Sequence, residues 1–194
     1  MYVALDWAKN LFISILNHEI DGQIAREYIK SRGISPKAQE TFGLGLSPKG
    51  WDGLFKASLV HKLDEGVLSE AGLIVKREEK TFDFFRGRLM FPIIDTNGRV
   101  LGFGGRDLKG DGKGPKYINT PQTAVYDKSN VLYGLYQAKR VVRDKDRVIL
   151  TEGYTDVIAL HQAGIEEAVS ASGTALTEGH IHKIKRFTKN VVLL

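Results

Sequence analysis

The sequence predicts an α/β protein with two parts, an α+β part over residues 1–144 and a partial βαβαβ parallel sheet over residues 145–194. Amphipathic runs with helical spacing occupy most of the first 80 residues, which favours helices there. Asn97-Gly98 separates two apolar runs, a strong hairpin signal. The last 50 residues alternate short apolar runs with helical stretches of about ten residues, which is typical of parallel sheets. The charged segment 143–147 marks the boundary.

The composition is that of a globular protein in water. Hydrophobic residues make up 42% and charged residues 26% of the 194 residues, which is ordinary for such proteins. No apolar run approaches the roughly 20 residues that span a bilayer, and the N-terminus lacks the pattern of a signal peptide. The absence of cysteine excludes disulfides and thiolate metal sites and fits a reducing compartment. We therefore expect a cytoplasmic protein without a membrane partner.

Helices dominate the first part of the predicted fold. The run "LFISILNHEI" keeps an apolar spacing as far as Ile20, and "GQIAREYIKSRG" follows as a second helix. Ser35-Pro36 begins a third helix, which Gly43 ends. The segment "DGLFKASLVHKL" predicts a fourth helix. In "EGVLSEAGLIVKRE" the pattern changes from a helix to a turn at Gly72 and then to a strand.

The middle of the chain is predicted to be a hairpin, a loop and a helix. "LMFPII" and "VLGFGG" are the two strands of the hairpin. "KGDGKGPK" is a basic, glycine-rich loop, and "VLYGLYQAKRVVRDK" is a helix. "GFGGR" is not a dinucleotide fingerprint, because Asp107 stands where the third glycine would be. Its glycines instead indicate a tight turn or a close approach of backbones.

Two carboxylates follow the first strand of the parallel unit. In "RVILTEGYTDVIALHQAG" Glu152 ends the strand and Asp156 begins the helix. Ligands of open α/β sheets bind beyond the carboxyl ends of the strands, where the "ASGTALT" turn of residues 171–177 also lies. Oxygen ligands suit Mg²⁺, so the pair predicts a hard-cation site. Asp156 has an alternative role, because an acid in the first turn of a helix is favoured by the helix dipole.

Positive charge is concentrated in two stretches. Residues 86–116 contain 7 Lys/Arg against 3 Asp/Glu, and residues 180–194 contain 4 against none. Clustered charge of one sign raises the chance of a polyanionic partner. Two solvated charged faces would produce the same pattern, so charge alone leaves both interpretations open.

Several segments resemble a known family. "ILTEGYTDVIAL", "ASGTALT" and "NVVLL", in this order, are similar to the first half of a TOPRIM domain, the Mg²⁺-dependent module of bacterial primases, topoisomerases and some nucleases. "GRLMFPIIDTNGRVLGFGGRDL" and "PKYINTPQTAVYDKSNVLYGLYQAK" resemble the RNA-polymerase core of bacterial DNA primases. "YIKSRGISPKAQETFGLGLSP" is similar to the beginning of that core. The resemblance covers nearly the whole chain.

The resemblance implies roles for particular residues. Glu152 falls on the conserved TOPRIM glutamate, a metal ligand or acid–base group, and Asp156 on the aspartate of the same motif. Cations along the phosphates and a ring for base stacking are what single strands require. The implied single-stranded DNA groove consists of Arg32, Arg86, Arg88, Arg106, Lys116 and Lys128, with Tyr117 and Asn119 nearby. Arg86 has an alternative as a surface partner of Asp83, and Arg99 is predicted to be a hairpin-turn charge outside the groove.

The family also implies cofactors and partners. We expect Mg²⁺ or Mn²⁺, NTPs, a single-stranded DNA template and an RNA primer, and a helicase and single-strand binding protein as partners of the parent protein. A zinc module is expected before the core, and an Asp-x-Asp motif supplying most of the metal binding directly after "NVVLL". The 194-residue chain is therefore expected to bind single-stranded DNA weakly and to make no primers. Its C-terminal third is expected to be less stable than the rest or to be shielded by association. The alternatives are a TOPRIM nuclease or topoisomerase, and a non-catalytic single-strand binding module.

Overall fold

The computed structural model describes residues 1–108, 114–173 and 175–194. Most of the predicted basic loop and Thr174 of the "ASGTALT" turn lie outside these residues. The helices are α1 Tyr2–Asn17, α2 Gln23–Ser31, α3 Pro36–Phe42, α4 Gly53–Val60, α5 Glu65–Glu70, α6 Leu135–Asp144, α7 Tyr154–Gln162 and α8 Glu178–Ile184. The strands are β1 Gly45–Leu46, β2 Ile74–Arg77, β3 Lys80–Asp83, β4 Arg88–Ile94, β5 Val100–Asp107, β6 Tyr117–Asn119, β7 Val148–Thr151, β8 Ala168–Ser170 and β9 Val191–Leu193.

The strands form three sheets, and the predicted α/β class is confirmed. The first sheet has the order β1-β4-β5-β6 and is antiparallel; β2 and β3 form a separate hairpin. The third sheet has the order β8-β7-β9, and both of its pairings are parallel. Within the described ranges, none of the helices combines the length and the hydropathy that crossing a bilayer requires.

The first helix ends earlier than the apolar spacing predicts. It begins at Tyr2 and stops at Asn17, so the expectation that Ile20 continues the helix is wrong; that side chain is 76% exposed. Arg26 of α2 explains the early end, because its guanidinium donates to the carbonyl oxygens of Leu16 and His18 at 2.7 and 2.6 Å. These bonds satisfy carbonyl groups that a helix end leaves free.

The predicted hairpin is confirmed, and its turn is held by one carboxylate. Asp95 accepts hydrogen bonds from the backbone N–H groups of Asn97 and Arg99 at 2.8 and 2.9 Å. Gly98 adopts the positive φ of 89° that the turn requires. The guanidinium of Arg99 pairs with Asp95 at 2.8 Å, which confirms Arg99 as a turn charge.

Two short strands were not predicted. β3 follows a turn in which Glu78 takes a φ of +53° without any glycine, so the sequence carries no turn signal there. β6 is only three residues long and half-buried throughout, and it exists because it pairs with β5. Both strands depend on a partner strand rather than on a local pattern.

The parallel unit has the predicted order of elements, but helix α6 packs against it. Leu135, Ala138 and Val142 of α6 share a buried cluster with Leu150 of β7 and Val169 of β8. Helix α6 therefore packs on a face of the parallel sheet. In the chain, however, it lies before the predicted boundary, in the part assigned to residues 1–144. That boundary itself stays a prediction.

The two large sheets meet where α7 begins. The ring of Tyr154 lies against Gly104 of β5 so closely that a Cβ at Gly104 would come within 2.3 Å of it. The same ring stacks on Phe91 of β4 with centroids 4.9 Å apart. The glycines of "GFGGR" therefore do allow a close approach, and the approach seats the strand end that carries Glu152 against the antiparallel sheet.

Candidate nucleic-acid interface

Glu152 lies directly after β7, at the carboxyl end of the parallel sheet. Its side chain is exposed, and no hydrogen bond or ion pair joins its carboxylate to any other described residue. Its backbone carbonyl accepts a hydrogen bond from Ser170 Oγ at 2.8 Å. Ser170 Oγ in turn accepts a hydrogen bond from Ser172 N at 2.8 Å. The ends of β7 and β8 are thus joined beside a carboxylate that is free to bind a ligand.

Asp156 has a structural role that the structure makes visible. Its Oδ2 accepts a hydrogen bond from Gly153 N at 3.0 Å, as part of a capping box at the start of α7. This is the helix-cap role that the sequence left open. A metal or catalytic role for Asp156 stays a prediction, with its second carboxylate oxygen available for it.

The chemistry of this end suits part of a hard-cation site. Mg²⁺ and Mn²⁺ prefer oxygen ligands and are often held by one or two carboxylates, with waters and substrate phosphates completing the shell. The free carboxylate of Glu152 fits one such position. Within residues 1–108, 114–173 and 175–194, three or more His, Asp or Glu side chains do not gather into a complete metal cluster.

A first cationic group forms around Tyr28. Arg106 of β5 is only 9% exposed; it donates to Tyr117 Oη at 2.8 Å and its guanidinium carbon lies 4.6 Å from the centroid of the Tyr28 ring. Arg32, at the end of α2, lies 5.3 Å from the same centroid. Three of the residues that the sequence predicts for a nucleic-acid groove are therefore brought together, on elements far apart in the chain.

A second cationic group lines a cleft of about 840 Å³ between α2, the segment after β1 and the end of β5. Arg86 stacks on Trp51 with its guanidinium carbon 4.5 Å from the ring centroid. Arg88 donates to the carbonyls of Gly105 and Pro115 at 3.2 and 3.1 Å, and burial lowers its pKa. Lys49 also lines the cleft.

Sequence reasoning missed Lys49 and Trp51. Trp51 is 64% exposed, and its ring contacts Arg86 and the ring of Phe82 at the cleft. The signal that could have found them is the segment "SPKGW", where a lysine and a tryptophan share a turn.

Arg88 of the second group and Arg106 of the first point to opposite faces of the β4–β5 ribbon. Arg88 is paired with Asp107, and Leu89 is paired with Arg106. Residues that face each other in a ladder share a face, and successive residues of a strand alternate. Arg88 and Arg106 therefore do not form a single row along one face of the ribbon.

The alternative prediction that Arg86 pairs with the carboxylate of Asp83 at the surface is wrong. The carboxylate of Asp83 is buried and accepts hydrogen bonds from Leu54 N at 2.7 Å and Phe55 N at 3.0 Å. Arg86 donates to the backbone carbonyl of Asp83 instead. Burial raises the pKa of Asp83 to about 6, against the effect of these two hydrogen bonds.

Asn119 connects β6 to the acidic end of the parallel sheet. Its Oδ1 accepts from Tyr154 Oη at 2.7 Å, and its Nδ2 donates to the carbonyl of Ser172 at 3.1 Å. Tyr117, two residues earlier, holds Arg106. A short chain of side chains therefore leads from the first cationic group to the strand ends beside Glu152.

The two predicted lysines are positioned differently. Lys116 is exposed, and its backbone carbonyl accepts from Asp107 N at 2.8 Å next to the β5–β6 ladder. Lys128 lies on a short 3-10 helix, Lys128–Asn130. Its backbone carbonyl accepts a hydrogen bond from His180 Nε2 at 2.9 Å. Lys128 thus contacts α8 and is not part of the cationic group around Tyr28.

Comparison with known families matches almost all of the chain. The family described as "DNA primase catalytic core, N-terminal domain" matches residues 11–139, and the Toprim domain family matches residues 146–194. The DNA primase of Pseudomonas putida is 43% identical over 194 residues, which are 99% of this chain and 29% of that protein. The chain therefore spans about a third of the length of such relatives.

Solved structures match equally well. The RNA polymerase domain of Mycobacterium tuberculosis primase DnaG superposes with a TM-score of 0.92 at 34% identity, covering 99% of this chain and 64% of that one. A DnaG primase catalytic domain bound to ssDNA superposes with a TM-score of 0.91 at 38% identity, covering 99% and 59%.

Proposed function

The chain belongs to the DnaG-type bacterial DNA primases, and we propose that it forms the part of their RNA-polymerase core that guides a single-stranded DNA template to a metal-dependent active site. The parent protein is then a DNA-templated RNA polymerase that makes short RNA primers for replication. The chain occupies 29% of the length of its P. putida relative, so this activity is proposed for the whole protein.

One observation carries the proposal. Asn119 hydrogen bonds to both Tyr154 and the Ser172 carbonyl, and so links the edge that carries Arg106 and Tyr117 to the strand end that carries Glu152. A template held by the cations is in this way kept beside an exposed carboxylate. The ssDNA-bound DnaG relative supports the choice of a single strand as ligand.

The carboxylate would hold a metal ion. Glu152 would bind Mg²⁺ or Mn²⁺, with Asp156 next to it in the same motif. Such an ion neutralises the charge that develops on the phosphates when a 3′-hydroxyl attacks the α-phosphate of an NTP. The residues of the chain bind and orient: arginines and lysines bind the template phosphates, and the exposed ring of Trp51 and the half-buried ring of Tyr117 offer surfaces on which bases stack.

The remaining proposals concern the parent protein. We propose a replicative helicase and a single-strand binding protein as its partners, and the bacterial cytoplasm as its location. The nuclease or topoisomerase alternative shares only the Toprim match, whereas residues 11–139 match the primase core. The alternative of a non-catalytic single-strand binding module stays open to experiment.

The test replaces Glu152 by Gln in the full-length protein that carries this sequence. We expect primer synthesis from NTPs on a single-stranded template to fall by about 100-fold or more, while the affinity for single-stranded DNA changes less than about twofold. Glu166→Gln, at an exposed glutamate near the opposite end of the parallel sheet, is the matched control. Unchanged primer synthesis in Glu152→Gln would contradict a catalytic site and favour the binding module.

A further inference from the structure

Two guanidinium groups share one tyrosine ring. The guanidinium carbons of Arg106 and Arg32 lie 4.6 and 5.3 Å from the centroid of the Tyr28 ring, so they are within about 10 Å of each other. Two like charges repel at this range. The negative face of an aromatic ring attracts a cation and offsets part of that repulsion.

The charge of this pair has no counterion among the described residues. No described carboxylate lies within ion-pair distance of Arg32 or Arg106, although eight other Lys, Arg or His side chains form such pairs with carboxylates. Arg106 is nine-tenths buried, and its Nε has no hydrogen-bond partner. A buried cation is normally paired, so the pair is arranged to receive an anion.

Tyr28 is held firmly enough to support both cations. It lies on α2, four residues before Arg32, so the two side chains occupy the same face of the helix. Its ring is half-buried and packs against the main core cluster, which includes Ala25 and Ile29 of the same helix. Arg106 approaches the same ring from β5. The ring is therefore the common support of cations from two separate elements.

We propose that Tyr28 is a positioning residue of the nucleic-acid site, whose ring holds Arg32 and Arg106 together so that both bind one phosphodiester of the strand. The inference rests on the proposed function and goes beyond it by naming a residue that touches the cations and not the strand. The guanidinium groups donate charge-assisted hydrogen bonds to the phosphate oxygens. Tyr117, which accepts from Arg106, then lies next to that phosphate, where a neighbouring base can stack.

The experiment measures the affinity for a fluorescent oligo-dT strand by anisotropy, over a salt series, together with thermal unfolding. Tyr28→Phe keeps the ring and is expected to bind within about twofold of the native protein. Tyr28→Leu and Tyr28→Met remove the ring and are expected to lose about fivefold to thirtyfold in affinity. Tyr2→Leu is the matched control, because Tyr2 lies under Arg99 at 4.6 Å but Arg99 is already paired with Asp95.

A double-mutant cycle separates positioning from simple packing. In the native background, the double variant Arg32→Ala/Arg106→Ala is expected to lose less affinity than the product of the two single fold-losses. The reason is that both cations bind one phosphate. In the Tyr28→Leu background, the fold-loss in affinity of the double arginine variant is expected to equal the product of the two single fold-losses. If Tyr28→Leu lowers the unfolding temperature too far for a binding measurement, Tyr28→Met and the same cycle in its background decide the matter.

The outcomes are distinguishable. Native affinity in both non-aromatic variants, with losses in Arg32→Ala and Arg106→Ala, overturns the role of Tyr28 and leaves the proposed function standing. Independent losses in the native background also overturn the shared phosphate. No loss in either arginine variant overturns this part of the proposed DNA interface itself.

Discussion

The antiparallel and the parallel sheets present their charged groups in opposite ways. On the antiparallel sheet, Arg106 is almost fully buried and held between two tyrosine rings. At the end of the parallel sheet, Glu152 is exposed and its carboxylate forms no hydrogen bond or ion pair with another described residue. The difference teaches that a cation that must stay at one point along a strand of nucleic acid needs a rigid support, whereas a metal-binding carboxylate needs an open coordination position.

The parallel sheet also contains the opposite case at its other end. Glu167, just before β8, is completely buried and accepts hydrogen bonds from Lys145 and Arg147 at 2.8 and 2.6 Å. Burial opposes the ionisation of Glu167, but these two hydrogen bonds outweigh it and lower its pKa to about 2. One sheet thus has a paired, structural carboxylate at one end and a free carboxylate at the other.

The largest expected effect comes from separating the two sheets. Gly104→Ala would bring a Cβ within 2.3 Å of the Tyr154 ring, and such overpacking costs about 1–3 kcal/mol, occasionally more. We expect the free energy of unfolding in urea to fall by about 3 kcal/mol. Gly50→Ala, where a Cβ meets no atom within 4 Å, is the control. Equal stability of the two variants would mean that the sheets are not held together at this contact.

The second largest expected effect concerns the cationic residues of the antiparallel sheet and their binding to DNA. Arg106→Ala together with Lys116→Ala should weaken binding to single-stranded DNA by about tenfold to a hundredfold, because charge-assisted hydrogen bonds contribute about 1.5–3 kcal/mol each at most. The slope of log K against log salt should shrink by about 0.7 for each phosphate contact that is lost. Arg140→Ala with Lys76→Ala removes the same charge from exposed sites. A double variant with the native slope would mean that the strand binds elsewhere.

The smallest effect tests the structural acid. Glu167→Gln should lower the free energy of unfolding by about 1 kcal/mol at pH 7, since its partners are each more than two-fifths exposed and solvent screens the pair. Because the pKa of Glu167 is lowered from 4.5 to about 2 in the fold, its contribution is complete above pH 4.5 and is lost as the pH falls towards 2.

Denaturant unfolding of both proteins between pH 2 and pH 7 measures this difference. The native protein and Glu167→Gln should converge in stability towards pH 2, while Glu166→Gln should track the native protein at every pH. A difference for Glu167→Gln that does not depend on pH would contradict the lowered pKa.

Local chemistry was enough to predict much of the fold. The turn at Asn97-Gly98, the cap at Ser35 and the alternation after residue 147 each depend on residues close together in the chain, so a sequence pattern reports them directly. The same holds for Glu152, because it follows an apolar run that the alternation of strands and helices after residue 147 predicts to be a strand. The strands β3 and β6 escaped prediction because each is defined by its pairing partner and not by its own residues.

The sequence by itself determined which residues bear charge and which strand ends they follow. The tertiary structure alone decided that Arg88 and Arg106 point to opposite faces of one ribbon, that Trp51 and Lys49 join Arg86 in a cleft, and that Tyr28 lies beneath cations from two elements. The physical reason is distance along the chain. Helical and strand periodicities act over a few residues, whereas the contacts of Tyr28 with Arg106 and of Asn119 with Tyr154 form only when separate elements pack together.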